Sequence, residues 1–244
     1  MNKIPVACQL WSLHKEWAVH PLEVLRFLKD AGYTGVEICG NSFSPAFTAA
    51  LLRETGMACT GWHCAAEEFD ASHFPATLEK ALTVGARTLC IAWYGAKDLA
   101  GWKAFAALLN EASAKFAPWG IRVGYHSHAG DFKPVEGCLP WEVVAENTDD
   151  SVILQLDLGN TLSAGADPLT WLKKYPSRSV TVHCKPWCKE GGYDLLKGDD
   201  VPWKDVVDFC RSKGGTEWFI VEYEEGAELR SCIRKLHDIV MSCQ

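Results

Sequence analysis

Apolar and polar positions form a repeating block along the chain. Short runs rich in β-branched residues are separated by longer amphipathic stretches. The runs are Ile4–Leu10, Gly35–Cys39, Met57–His63, Thr88–Trp93, Ile121–His126, Val152–Leu158, Val180–His183 and Trp218–Tyr223. Their starts recur about every 31 residues, the size of a strand–helix–strand unit. Nearly continuous apolar runs are expected of parallel strands covered on both faces. Gly32, Gly56, Gly85, Gly120 and Gly214 end amphipathic stretches, where glycine closes a helix in the left-handed conformation. Pro21, Pro45 and Pro168 mark helix starts, the last two behind Ser44 and Asp167 as N-caps. Eight such units in 244 residues, with no linker or low-complexity tract, predict an α/β fold, a single-domain (β/α)8 TIM barrel over residues 1–244. A doubly wound open sheet is the alternative. It usually carries a glycine-rich loop after its first strand, and QLWSLHKEW is not one.

Composition narrows the function classes. The chain is 48% hydrophobic and 23% charged, as a globular domain should be. With 24 basic and 31 acidic residues the net charge is −7, which disfavours a nucleic-acid binder. No apolar run reaches the ~18 residues of a membrane span. The N-terminal MNKIPVACQLWSLHKE reads as a strand rather than a signal peptide. Eleven cysteines are scattered without a CxxC pair, so they read as reduced core residues and imply the cytoplasm.

In a barrel of this kind chemistry sits at the C-terminal ends of the strands. Those ends carry Glu37, Trp62 with His63, Trp93, His126 with His128, Asp157 with Asn160, His183 with Lys185, and Glu222. Each has a plain reading: Asp157 as a helix cap, His183 as a core histidine, Glu222 as a surface carboxylate before Glu224 and Glu225. The set says more. Carboxylate, imidazole and carboxylate end three successive strands, after apolar residues that make them costly to bury unpaired. They are ligands that suit Mn²⁺, Mg²⁺, Co²⁺ or Zn²⁺, and a cation offsets two inward carboxylates.

These residues carry a family resemblance. GVEICG, GYHSHAGDF, LDLGNTLSAGADP, HCKPW and IVEYEE resemble the sugar phosphate isomerase/epimerase superfamily, the xylose isomerase-like TIM barrels. The likeness covers the whole chain and is most specific in strands 5 to 8. It implies one divalent metal (Mn, Co, Zn or Mg) held by Glu, Asp, His and Glu from strands 5 to 8. Asp157, His183 and Glu222 match the last three. Strand 5 departs, reading Tyr125-His126-Ser127-His128. His126 falls nearest the ligand position and is taken as the fourth ligand; His128 shares its face and is the alternative. The missing strand 5 Glu puts a two-base epimerisation in doubt. The DNA-repair relatives use a histidine three residues after the strand 6 Asp, where this chain has Asn160.

The resemblance implies a metal-dependent isomerase or epimerase of a sugar or keto-sugar, acting through an enediolate. Glu222 is expected as ligand and base, with Lys185 and His128 as further catalytic groups. Glu37, His63 and Asp131 are expected to bind hydroxyls. Trp11, Trp62, Trp93 and Trp187 fall at strand ends, where rings either stack on a sugar or plug the barrel mouth. Arg87, Arg122 and Arg178 precede strands, on the face away from substrate. A phosphate favours arginine forks or a glycine cradle, and only Gly191-Gly192 hints at one. An unphosphorylated sugar, keto-sugar, glycoside or cyclitol is therefore expected, with no nucleic-acid or membrane partner. A homodimer is compatible with the fold. Two other readings stand beside this one: a lyase or dehydratase acting on an inosose or 3-keto-glycoside, and a non-catalytic sugar-binding subunit.

Overall fold

Each of the eight apolar runs becomes a strand in the computed structural model, which describes residues 3–226 and 228–244. The strands are β1 Val6–Gln9, β2 Gly35–Cys39, β3 Ala58–Cys64, β4 Thr88–Ile91, β5 Arg122–His126, β6 Ile153–Gln155, β7 Thr181–Cys184 and β8 Trp218–Val221. They pair in parallel in the order β6-β5-β4-β3-β2-β1-β8-β7. β6 and β7 meet through a parallel bridge between Asp157 and His183. There the His183 amide donates to the Leu156 carbonyl at 2.9 Å. The sheet thus closes, and the fold is a TIM barrel with helices between its strands.

The helix boundaries follow local chemistry. Ser44 Oγ accepts from the Phe47 amide ahead of helix Pro45–Thr55. Asp167 accepts from the Leu169 and Thr170 amides ahead of helix Pro168–Lys174. Gly56 and Gly85 close their helices at φ of 67° and 77°, which only glycine adopts without strain. The expected stop at Gly214 falls one residue later, on Gly215 at φ 67°.

The main apolar core lies between strands and helices, with Leu25, Leu89, Phe105, Val144 and Phe219 among its fully buried members. The barrel interior is unlike it. Gln9, Glu37, Gln155 and Thr181 are inward and buried, where branched aliphatic residues usually fill the layers. All eleven cysteines are free thiols, most of them buried, with Cys138 exposed. Among the described residues no helix is long and apolar enough to cross a membrane.

Candidate metal centre and cavity

The closure of the barrel builds the site. β6 is only three residues long, so the chain leaves the sheet at Leu156 and turns directly into helix Leu158–Ser163. Asp157 is the N-cap of that helix, its Oδ1 accepting from the Asn160 amide at 2.7 Å. Its other oxygen, Oδ2, is buried with no partner. One carboxylate thus caps the helix with one oxygen and leaves the other without a hydrogen bond. His126 ends β5 beside it, fully enclosed, with Nδ1 also unpartnered. His183 Nδ1 lies 2.8 Å from Glu222 Oε2 and 4.0 Å from Asp157 Oδ2. One ligand atom from each of His126, Asp157, His183 and Glu222 lies within 4.8 Å of the others. Ligands ~2.1 Å from a tetrahedral ion stand ~3.4 Å apart, so the wider pairs would close and the 2.8 Å His183–Glu222 pair would open for the four to hold a divalent cation. Two orphaned buried atoms among oxygen and nitrogen donors fit that chemistry, since buried polar groups normally have partners.

The same contacts set the protonation of the cluster, and His183 would have to release a proton to ligate a cation. Burial pushes the Asp157 carboxyl up to about 7. Burial also drives His126 well below its ordinary value, with His183 and His63 adding to it, so His126 is neutral and keeps a lone pair. Burial opposes a charge on His183, but the Glu37 and Glu222 carboxylates outweigh it and raise the imidazole to about 10. Burial would raise Glu222 too, yet Lys185 and His183 hold it well below the usual carboxylate range.

Under this cluster Glu37 is a hub. Its Oε2 accepts from Gln9 Nε2 at 2.6 Å and lies 2.8 Å from His183 Nε2 and 2.9 Å from His63 Nε2. Oε1 accepts from Gln155 Nε2 at 2.8 Å. A carboxylate on the far nitrogen of a ligating histidine fixes its ring and tautomer.

Above the cluster a cavity of about 450 Å³ opens at the C-terminal ends of the strands. His63, His126, His128 and Lys185 line it, with Glu222 and Glu224 on the β8 side and Trp11 and Trp93 at its wall. Lys185 Nζ donates to Glu222 Oε1 at 3.0 Å and to Glu224 Oε1 at 2.5 Å. Burial opposes its charge, but Glu222, Asp157 and Glu224 keep it an ammonium. His128 is pushed down to about 4 by burial, so its imidazole is neutral.

The family model for the xylose isomerase-like TIM barrel matches residues 25–238. The chain belongs to that family. It is 33% identical over 90 residues to an inosose dehydratase of Clostridium perfringens, covering 36% of this chain and 30% of that protein. It is 25% identical over 143 residues to an inosose dehydratase of Clostridium tetani, covering 51% and 47%. These matches span half or less of the curated relatives' length. A sugar phosphate isomerase/epimerase structure from Parabacteroides distasonis superposes with a TM-score of 0.82 at 18% identity, over 100% of this chain and 96% of that one; this likeness is one of fold.

Within this xylose isomerase-like barrel, several expected substrate contacts lie elsewhere. Trp62 is 1% exposed and packs under the Lys80 ammonium, 4.4 Å from its ring. Neighbours in a strand face opposite ways, so with His63 inward Trp62 is outward. Glu37 is fully buried beneath the cavity rather than lining it. Asp131 turns into the protein, accepting from Tyr125 Oη at 2.9 Å and the His128 amide at 2.7 Å. Trp187 is half-buried and its carbonyl accepts from the Asp200 amide, away from the cavity lining. Gln9, Cys39, Tyr193 and Glu224 line the cavity without having been expected to, beside the strand-end Asn160. Of these, strand parity marks Gln9 as inward, two residues past Ala7; Tyr193 arrives on a long loop that carries no such signal. Arg87 and Arg122 line a separate cavity at the opposite end of the barrel, and Arg178 is spent on the Ala145 and Val152 carbonyls. Gly191-Gly192 is no phosphate cradle, because its amides bond to Cys188 Sγ and O.

Proposed function

We propose that the chain is a divalent-metal-dependent enzyme acting on an unphosphorylated keto-sugar or cyclitol. It removes the proton beside the carbonyl and expels a substituent from the next carbon. One observation carries this reading: two unlike proton carriers line one cavity. His128 is neutral and can take a proton; Lys185 is an ammonium and can give one. The C–H proton goes to His128, its electron pair forms the C=C bond, the C–O bond breaks, and the leaving oxygen takes a proton from Lys185. Glu224 and Glu222 hold the Lys185 ammonium in place. A divalent cation on His126, Asp157, His183 and Glu222 would polarise the carbonyl and stabilise charge on its oxygen. The partial likeness to two inosose dehydratases supports elimination. Among the described residues no arginine lines the cavity and its lysine is already paired with Glu222 and Glu224, which supports an uncharged substrate. Free thiols throughout fit a reducing cytoplasm.

A second reading keeps the carbon skeleton and all oxygens: isomerisation or epimerisation. It is favoured by two proton acceptors, Glu222 and His128, on one cavity wall set. The test has two stages. Elemental mass spectrometry should find near-stoichiometric Mn, Co, Zn or Mg that is absent from the Asp157→Ala/His183→Ala variant. Loaded enzyme is then incubated with inososes and keto-sugars in deuterated buffer. A product lighter by water or alcohol is expected. A product of unchanged skeleton carrying deuterium selects isomerisation, and no metal in either protein after reconstitution refutes both readings.

A further inference from the structure

The floor of the cavity carries the reacting groups, and its rim carries something else. Trp11 and Trp93 are 45% and 67% exposed, yet both line the cavity. The other large exposed apolar side chains, such as Val19, Phe47 and Trp119, do not. Trp11 is held in place. His14 stacks on Trp11 at 4.4 Å and 15°, and Trp11 Nε1 donates to Glu224 Oε2 at 2.5 Å. Trp93 lies against Gly95, where a Cβ would stand 3.1 Å from the indole carbons; glycine leaves the room that ring position needs.

We infer that Trp11 and Trp93 form an outer subsite for a second ring attached to the reacting sugar. The substrate class is then a glycoside of a keto-sugar, with a sugar or aryl aglycone, rather than a free monosaccharide or cyclitol. This rests on the keto-sugar reading above. Three observations converge. Indole faces suit the apolar face of a ring and lose solvent when it binds. The two tryptophans follow β1 and β4, so they approach the mouth from different sides. Glu224 joins the rim to the floor, since one oxygen takes Trp11 Nε1 and the other takes Lys185 Nζ. A ring against Trp11 therefore hangs its linking oxygen next to the ammonium. In the elimination, the C–O bond to that ring breaks and its oxygen takes the Lys185 proton, releasing the aglycone as an alcohol or phenol.

The experiment compares kcat/KM for an aryl 3-keto-glucoside and for free 3-keto-glucose, in wild type, Trp93→Ala and Gly95→Val. Wild type should prefer the glycoside by about tenfold, and both variants should lose most of that preference. An unchanged preference in Trp93→Ala, or none in wild type, overturns the subsite. Tryptophan emission titrated with an unoxidised aryl glucoside provides a readout independent of turnover. Should wild type convert neither ketone, the functional reading fails, and the subsite stands or falls on this titration. A spectral shift in wild type that is lost in Trp93→Ala supports it; no shift in wild type overturns it.

Discussion

Replacing Glu37 by Gln isolates the buried layer beneath the cavity. The substitution keeps the volume and removes the charge. Glu37 Oε2 faces three nitrogen atoms, from Gln9, His63 and His183, and Oε1 faces a fourth, from Gln155. An amide turned one way aims its NH₂ at the first three. Turned the other way, it aims at Gln155, which must flip and so withdraws the oxygen that now lies 2.7 Å from His63 Nε2. No arrangement satisfies every group. Losing one member of a buried charged network costs about 3–5 kcal/mol. At ~2–4 °C per kcal/mol for a chain of this size, the melting temperature of the metal-free protein should fall by roughly 6–20 °C. Because Glu37 also orients His183, affinity for Mn²⁺ or Zn²⁺ should drop ~10–100-fold. Calorimetric melting after chelation and isothermal titration with each ion read the two effects separately. A variant melting within ~2 °C of wild type and binding metal within about twofold would refute the reasoning on both counts.

Three further outcomes are expected. Burial raises Asp131 to about 7, so the folded state keeps a proton that the unfolded chain releases near pH 4. Stability therefore falls as pH rises from about 4 to 7, by up to ~1.4 kcal/mol per unit, and Asp131→Asn should flatten that slope in urea titrations at pH 5 and 8. Gly124→Ala would place a Cβ 2.4 Å from Ile153 Cβ and 2.5 Å from its carbonyl oxygen; it should lose ~1–3 kcal/mol, whereas Gly130→Ala, with nothing within 4 Å, should leave the urea midpoint alone. His128→Asn should lower kcat by ~10²-fold or more while metal content stays near wild type; equal loss of metal would show His128 to be a ligand instead.

The strand-end residues show what pattern reasoning reaches. Asp157, His183, Glu222 and His126 each lie at or just past the end of an apolar run, and all four converge. Trp62 shows where it stops. Its place at a strand end was right, but its neighbour His63 occupies the inward face, and parity leaves no room for both. Glu37 was legible as an inward carboxylate. That it serves two histidines and two glutamines rather than a substrate depends on Gln155, 118 positions away, and no local signal announces such a pair.

The sequence by itself determined the barrel, because eight apolar runs of one period, punctuated by glycine and proline, have few ways to bury their faces. It also determined the candidate donors, because polar residues ending buried strands must find partners. Only the tertiary structure decided which donors meet. The bridge between Asp157 and His183 is where the sheet closes, and closure depends on the tilt and stagger of all eight strands together. The same holds for the cavity: Trp11, His128, Lys185 and Glu224 share it because the barrel brings together loops that lie far apart along the chain.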